Sequence, residues 1–326
     1  MRKQRQNQNV DELGGTRIAI WGPPSVGKDW LIAGFIKEVL SCANYHLEIS
    51  QPDGLVLVEA LPPPQQLTES REDKMYRFRR KNQAGEIYTY HNFTIQNDSG
   101  AKMVSALENM HSSEELLDNL KESRNIILAL GIPSANSEKE PSMKDEPAKV
   151  EDQLDEVDPY TQLFTQTPLN PPEISQNNLR NQTTGETEWD IEAYYRFLMR
   201  FFSIIEGGHR NVAICSTKSD QENYRGEFKD IFRRRYSSRI INIIEGQRRF
   251  HEIELFCTSA CGYIMNNQNQ PNFENGSLRD LKLWQPINTA APFFWIFERI
   301  ERARWENSNC FFRGPKPASY PRSYTY

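Results

Sequence analysis

Apolar and polar stretches alternate along the chain in a way that predicts strands and helices in turn. Thr16 to Gly22, "TRIAIWG", is a short apolar, β-prone run closed by glycine, which suits a strand buried on both faces. After "PPSVGK", residues Trp30, Leu31, Phe35 and Leu40 recur at helical spacing, with Lys37 and Glu38 off that stripe. "MYRFRRK" and "IYTYHNFTIQN" flank "NQAG". Tyr76 and Phe78 alternate there with Arg77 and Arg79, and Asn82 and Gly85 supply turn chemistry, so an antiparallel hairpin is expected. Helical pattern follows from about Lys102 to Glu122, with a break near His111, and "RNIILALGIPS" reads as a strongly apolar strand. "WDIEAYYRFLMRFFSIIEGG" predicts an amphipathic helix closed by Gly207 and Gly208. "NVAICSTKSD" and "IELFCTSACG" are strands entering polar loops, "EFKDIFRRRYSSRIINII" between them is helical or mixed, and "AAPFFWIFERIERARW" closes the fold as a helix. The alternation implies a three-layer α/β fold with a mostly parallel sheet and one antiparallel edge strand. In such sheets ligands bind beyond the C-terminal strand ends, where these loops fall.

Composition changes this picture in one place. Between Asn136 and Tyr160 there are nine Asp/Glu against three Lys and almost no large apolar residues, too little burial to offset the ordering entropy. The expected organisation is therefore a flexible N-terminal segment (1–13), a first half-domain (14–134), an acidic disordered insert (135–187), a second half-domain (188–306) and a Pro/Tyr-rich flexible tail (307–326). The net charge of −5 resides mainly in the insert, so charge alone selects no partner. Five cysteines, odd in number and irregular in spacing, fit a reducing compartment, and Cys257 and Cys261 lack the second pair that a zinc site needs. No run of 18 apolar residues, secretory signal, myristoylation glycine or prenylation box is present, which predicts a soluble cytoplasmic protein without a membrane partner. The five histidines are scattered without metal spacing. Arg225, Lys229, Arg233, Arg234, Arg235 and Arg239 form a basic cluster. Interspersed Glu227, Asp230 and Glu245 favour a solvated helix face over a nucleic-acid surface. Trp295, with Phe293, Phe294 and Phe297, is expected to pack the last helix on the sheet.

Three loops carry the candidate chemistry. "GPPSVGKD" matches G-x-x-x-x-G-K, with Gly22, Pro23, Pro24, Ser25, Val26, Gly27 and Lys28 between a predicted strand and a predicted helix that starts with Asp29 and Trp30. Backbone N–H groups and the helix N-terminus there can cradle phosphates while Lys28 supplies a full charge. "TKSD" (Thr217, Lys218, Ser219, Asp220) follows one apolar strand, and "TSA" (Thr258, Ser259, Ala260) follows the next.

In order and context these loops resemble those of the Ras-like (TRAFAC) P-loop GTPase superfamily. The resemblance spans roughly Gly15 to Trp305, apart from the insert, and the general layout is similar to divergent bacterial GTPases of conflict and defence systems. It implies a GTP/GDP site in which Asp220 accepts two hydrogen bonds from guanine, the Lys218 stem packs over the base and the Ala260 N–H meets the guanine carbonyl oxygen. Gly100, in "QNDSG", would contact the γ-phosphate. The chain departs from the family at magnesium. Asp29 stands where a Ser/Thr hydroxyl belongs, and Asn97 where an Asp belongs. Two alternatives follow. In one the carboxylate has swapped places, with Asp29, Asp98 and a switch Thr68 toward Mg2+; in the other metal dependence is lost. Ala101 stands where the family orients water with Gln, and no catalytic residue is identified. The resemblance thus implies slow, partner-dependent GTP hydrolysis in a molecular switch, with a protein effector or regulator. The alternative is a pseudo-GTPase scaffold that holds nucleotide without hydrolysis. An ATP-using kinase has no lid or acceptor signature and conflicts with "TKSD".

Overall fold

The computed structural model describes residues 15–51, 54–57, 75–81, 87–109, 113–134, 189–221, 228–264, 267–274 and 277–307. The N-terminal segment, Thr68, the "NQAG" turn, His111, the acidic insert, Arg225, Glu227 and the tail beyond 307 lie outside the described residues.

Eight strands form one sheet: β1 (Thr16–Trp21), β2 (Tyr45–Gln51), β3 (Gly54–Leu57), β4 (Met75–Lys81), β5 (Ile87–Asn97), β6 (Asn125–Leu130), β7 (Asn211–Ser216) and β8 (Glu252–Cys257). Their spatial order is β3-β2-β4-β5-β1-β6-β7-β8. β5, β1, β6, β7 and β8 are mutually parallel, whereas β4 runs against β5, β2 against β4 and β3 against β2. The sheet is mostly parallel with an antiparallel edge, as the pattern implied, and β2 and β3 make that edge broader than a single strand.

The helices are α1 (Lys28–Ser41), α2 (Gly100–Glu108), α3 (Glu114–Glu122), α4 (Ile191–Ile205), α5 (Phe228–Arg235), α6 (Ser238–Gln247) and α7 (Ala291–Asn307). The period-2 alternation of the strands assigns them to two layers. Ile18 and Ile20 of β1 face α1 and α7, where Leu31, Phe35, Ile36, Phe293 and Phe297 form one core. Ala19 and Trp21 face the opposite layer, packed by Met103, Leu120, Phe197, Phe201, Phe232 and Ile240. Every residue of β6 is buried, as a central parallel strand requires. Two small hairpins, β9 (Tyr263–Ile264) with β10 (Asn267–Pro271) and β11 (Phe273–Glu274) with β12 (Ser277–Leu278), sit between β8 and α7. Among the described residues no helix is long and apolar enough to cross a membrane.

Glu38 ties the two helices of one layer together. It is not simply off the apolar stripe: its Oε2 accepts a hydrogen bond from the Ala290 amide at 2.6 Å, at the start of α7. Burial raises its pKa to about 7, outweighing the hydrogen bonds from the Ala290, Thr289 and Asn288 amides that favour the anion. Between the unperturbed carboxyl value and about 7 the folded chain therefore binds more protons than the unfolded chain. This contribution to stability is present at low pH and lost as pH rises through that window. Unfolding followed in urea from pH 5 to 8 should show wild type losing roughly 2–3 kcal/mol from this group. Glu38→Gln should remove that slope, and an unchanged slope would contradict the assignment.

Candidate nucleotide site

The loop between β1 and α1 is shaped by backbone conformations that its sequence allows. Gly27 sits at φ 85°, a left-handed value that costs glycine little, and Ser25 at φ 60°. A non-glycine residue held there stores strain, and such strain gathers at functional loops. Lys28 opens α1, and its Nζ turns back to donate to the carbonyls of Gly22 (3.0 Å) and Pro23 (3.1 Å). It is only 7% exposed. Burial lowers its pKa to about 8, with the charges of Asp29 and Asp98 working the other way. Lys28 thus folds its buried ammonium back onto the Gly22–Pro23 end of its own loop.

Gly100 closes one side of this loop. Ser99 caps α2 by accepting from the Lys102 amide, and Gly100 then lies directly against the Pro23–Pro24 backbone. A Cβ at Gly100 would stand 2.3 Å from Pro24 N and 2.4 Å from the Pro23 carbonyl carbon. Backbone on both sides leaves no rotamer escape. Gly100→Ala is expected to cost about 1–3 kcal/mol, read as a fall in thermal midpoint, and to distort the phosphate loop.

Asp29 and Asn97 stand side by side. Asn97 Nδ2 donates to Asp29 Oδ1 at 2.6 Å, while Asn97 Oδ1 is buried without a protein partner. The two positions singled out in the sequence for magnesium are thus a contacting pair. Asp98 lies near enough to act on Lys28. Among the described residues no three His, Cys, Asp or Glu side chains gather as a metal cluster. A divalent cation here would need its remaining oxygens from a bound phosphate or water, and the hard oxygens of Asp29, Asp98 and Asn97 suit such an ion.

The loop after β7 is bound to the phosphate loop. Thr217 Oγ1 donates to Val26 O at 2.6 Å, with Leu130 O also near at 3.1 Å, and the Thr217 amide donates to Leu130 O. Lys218 takes φ 57°, again left-handed. Asp220 is 4% exposed and accepts from Ser259 Oγ at 2.5 Å, while that hydroxyl accepts from the Gly262 amide. Burial pushes the Asp220 carboxyl upward, against the Ser259 hydrogen bond and the charges of Arg235 and Lys218. The Ser219 amide donates to Thr258 O and Tyr263 Oη donates to Ser219 O, which lock the loops after β7 and β8 together. Ser259 pairs with Ile287 through both backbone groups, and Ala260 O accepts from Trp284 Nε1. The Trp30 ring packs edge-on against Trp284 and Phe273, which joins the start of α1 to the small hairpins.

Two features at this edge were hidden in the sequence. Arg235, grouped by charge with the solvated cluster, is instead 6% exposed. Its guanidinium donates to Ser216 Oγ (2.6 Å), Thr217 O (2.8 Å) and Lys218 O (3.4 Å). Arg233 and Arg234 are exposed, as expected of a solvated face. Tyr236 Oη donates to Gly131 O, and the Gly131 amide donates to Tyr194 Oη, so α4 also braces the end of β6. Spacing gave a signal for Arg235: it follows Ile231 and Phe232 by four and three residues, on the face that packs inward.

The phosphate loop, Gly100, the Asp29–Asn97 pair, Thr217, Asp220, Ser259 and Ala260 all lie at the C-terminal edge of β1, β5, β7 and β8. No protein-family model and no curated protein matches the chain. Among solved structures it is similar to the signal recognition particle receptor SRβ–GTP/SRX complex from Chaetomium thermophilum, at 12% identity and TM-score 0.35, over 81% of this chain and 94% of that one. A protein described as nucleolar GTP-binding protein 1 from Plasmodium falciparum is 12% identical at TM-score 0.31, over 74% and 77%. Sup35 complexed with GDP is 8% identical at TM-score 0.28, over 86% of this chain and 44% of that one. The similarity to these structures is low enough that the site is read from its own residues. What stands on those residues is a three-layer α/β P-loop fold whose phosphate loop and two following loops meet at one edge of the sheet.

Proposed function

We propose that the chain binds guanine nucleotide, with Lys28 at the phosphates and Asp220 at the base. The observation that carries this reading is the hydrogen bond from Thr217 Oγ1 to Val26 O, which joins the two motif loops, 191 residues apart in sequence, at one edge of the sheet. A carboxylate at Asp220 offers acceptors only, which suits the paired N–H donors of guanine and not the edge of adenine. The Lys218 stem would pack on the base, and the Ala260 N–H would meet its carbonyl oxygen. Nucleotide released by denaturing the purified protein and separated by chromatography should be GDP or GTP; adenine nucleotide alone would overturn the reading.

Charge favours a divalent cation in this site. Lys28 is flanked by Asp29 and Asp98, so the three side chains sum to a negative charge before any phosphate arrives. Asp29 and Asp98, which both act on Lys28, would hold the ion, and Asn97 would orient Asp29 in place of supplying the carboxylate itself. GDP affinity is then expected to fall at least about tenfold when Mg2+ is replaced by chelator, as loss of one charge-assisted interaction implies. Equal affinities in the two media would sink the swap.

Turnover should be slow. Ala101 carries no group to orient water, so intrinsic hydrolysis below about one per second is expected in a single-turnover assay. The protein then acts as a switch whose hydrolysis waits on a protein regulator. The second reading, a pseudo-GTPase that holds nucleotide for scaffolding, draws on the same Ala101 and on the Asp29–Asn97 exchange. Stimulated turnover with a partner separates the two.

A further inference from the structure

Arg235 is the buried group for which neither the phosphate loop nor the base loops, as read above, have a use. It closes α5, and its fork reaches the carbonyls of the first two residues of the base loop, whose Thr217 hydroxyl is bonded separately to Val26 O. We propose that Arg235 is a positioning residue for base recognition: by holding the carbonyls of Thr217 and Lys218, it fixes the left-handed turn that presents Asp220 to guanine. The inference rests on the guanine-nucleotide reading and deepens it.

The physical case has three parts. First, a guanidinium at this depth is costly unless its donors are satisfied, and Arg235 meets Ser216 Oγ, Thr217 O and Lys218 O. Second, Lys218 at φ 57° is a conformation that its own side chain does not favour, so something must hold it. A planar fork that bonds consecutive carbonyls does so with direction, which the compact, freely rotating ammonium of a lysine lacks. Third, the positive charge lies close enough to act on Asp220. The groups that face Asp220 are Arg235 from α5, Lys218 on its own loop, and Ser259 and Cys261 from the loop after β8. Arg235 and Lys218 favour the ionised carboxylate that guanine recognition needs, while burial opposes it.

The test compares GDP with inosine diphosphate, which lacks the exocyclic amino group and so offers Asp220 one donor fewer. Affinities are measured by titration calorimetry on the full chain from pH 5 to 8. Wild type should prefer GDP. Arg235→Met should lose most of that preference, roughly tenfold in the GDP-to-inosine ratio for one lost charge-assisted hydrogen bond. The pH below which GDP affinity declines should also move upward. Arg235→Lys keeps the buried charge and is the variant to use if Arg235→Met does not fold; it should lose part of the ratio while holding the pH midpoint. If Arg235→Met weakens both nucleotides by the same factor, or changes neither ratio nor midpoint, Arg235 is a structural residue only and the inference fails. If wild type itself shows no preference between the two nucleotides, the guanine reading fails with it.

Discussion

Lys28→Ala is expected to raise the dissociation constant for GDP by roughly 100- to 1,000-fold, the worth of two charge-assisted hydrogen bonds. Lys28 opens α1 with its ammonium folded over the phosphate loop onto the carbonyls of Gly22 and Pro23. A phosphate there would exchange those weak acceptors for anionic oxygens. The loss should be specific to binding. Because burial depresses the Lys28 pKa to about 8, the charged group weakens the fold at neutral pH, and removing it should leave thermal stability unchanged or slightly higher. The same value sets a pH dependence with a definite sign. Binding needs the ammonium, and bound phosphate raises its pKa, so on the alkaline side GDP affinity should hold up to about pH 8 and decline above it. Fluorescent-GDP titrations between pH 6.5 and 9.5 measure this directly. A wild-type profile that stays flat throughout would remove Lys28 from the phosphate site.

The second large effect is an exchange of base specificity. Asp220→Asn should weaken GDP by about 100-fold and improve xanthosine diphosphate by a similar factor, because a buried polar group without its complement is penalised heavily. The structure says which way the new amide would point. Ser259 Oγ accepts from the Gly262 amide and donates its own proton to the side chain at position 220, a bond that Asn keeps by turning its oxygen to Ser259. The amide oxygen is therefore held by Ser259 and the NH2 group is left for the ligand. It would face the 2-oxo group of xanthine favourably and the 2-amino group of guanine unfavourably. Competition binding with the two diphosphates reads the exchange, and equal loss of both would show that Asp220 does not meet the base.

Local, periodic features of the chain were legible in the sequence. The apolar run before Gly22, the helical stripe after Lys28 and the two strand-then-loop motifs at Thr217 and Thr258 each carry their pattern within a dozen residues, and each forms the element expected. The broad antiparallel edge was harder to see. β2 reads "YHLEISQ", where Tyr45, Leu47 and Ile49 alternate with His46, Glu48 and Ser50 and pack on the core, but the run is short and polar on its other face, and its place in the sheet comes from pairing with β4. The small hairpins between β8 and α7 are only two to five residues per strand, too short for a pattern to show, and Phe273 of β11 packs against Trp30.

Charged residues were the least readable. Grouping Arg235 with Arg233 and Arg234 by sign hid its position on the inward face of α5, and Glu38, placed off the apolar stripe of α1, has its partner at Ala290, 252 residues away. Sign alone does not say whether a charge is solvated; helical position and a distant acceptor do. The Asp29–Asn97 exchange shows the reverse case. The two positions, read in the sequence as either a carboxylate swap or a loss of metal dependence, form one hydrogen-bonded pair. Pairing of this kind is invisible along the chain, because β5 reaches α1 only through the sheet order.

The claim on which the rest depends is that Lys28 and Asp220 serve a single guanine-nucleotide pocket. Calorimetric titration of the full chain with GDP and with ADP, in Mg2+ and repeated on Lys28→Ala and Asp220→Asn, tests it most directly. The account predicts one GDP per chain, ADP at least about 100-fold weaker, and both substitutions weakening the same binding event by about 100-fold or more. Comparable binding of GDP and ADP, or a GDP isotherm untouched by either substitution, would contradict it.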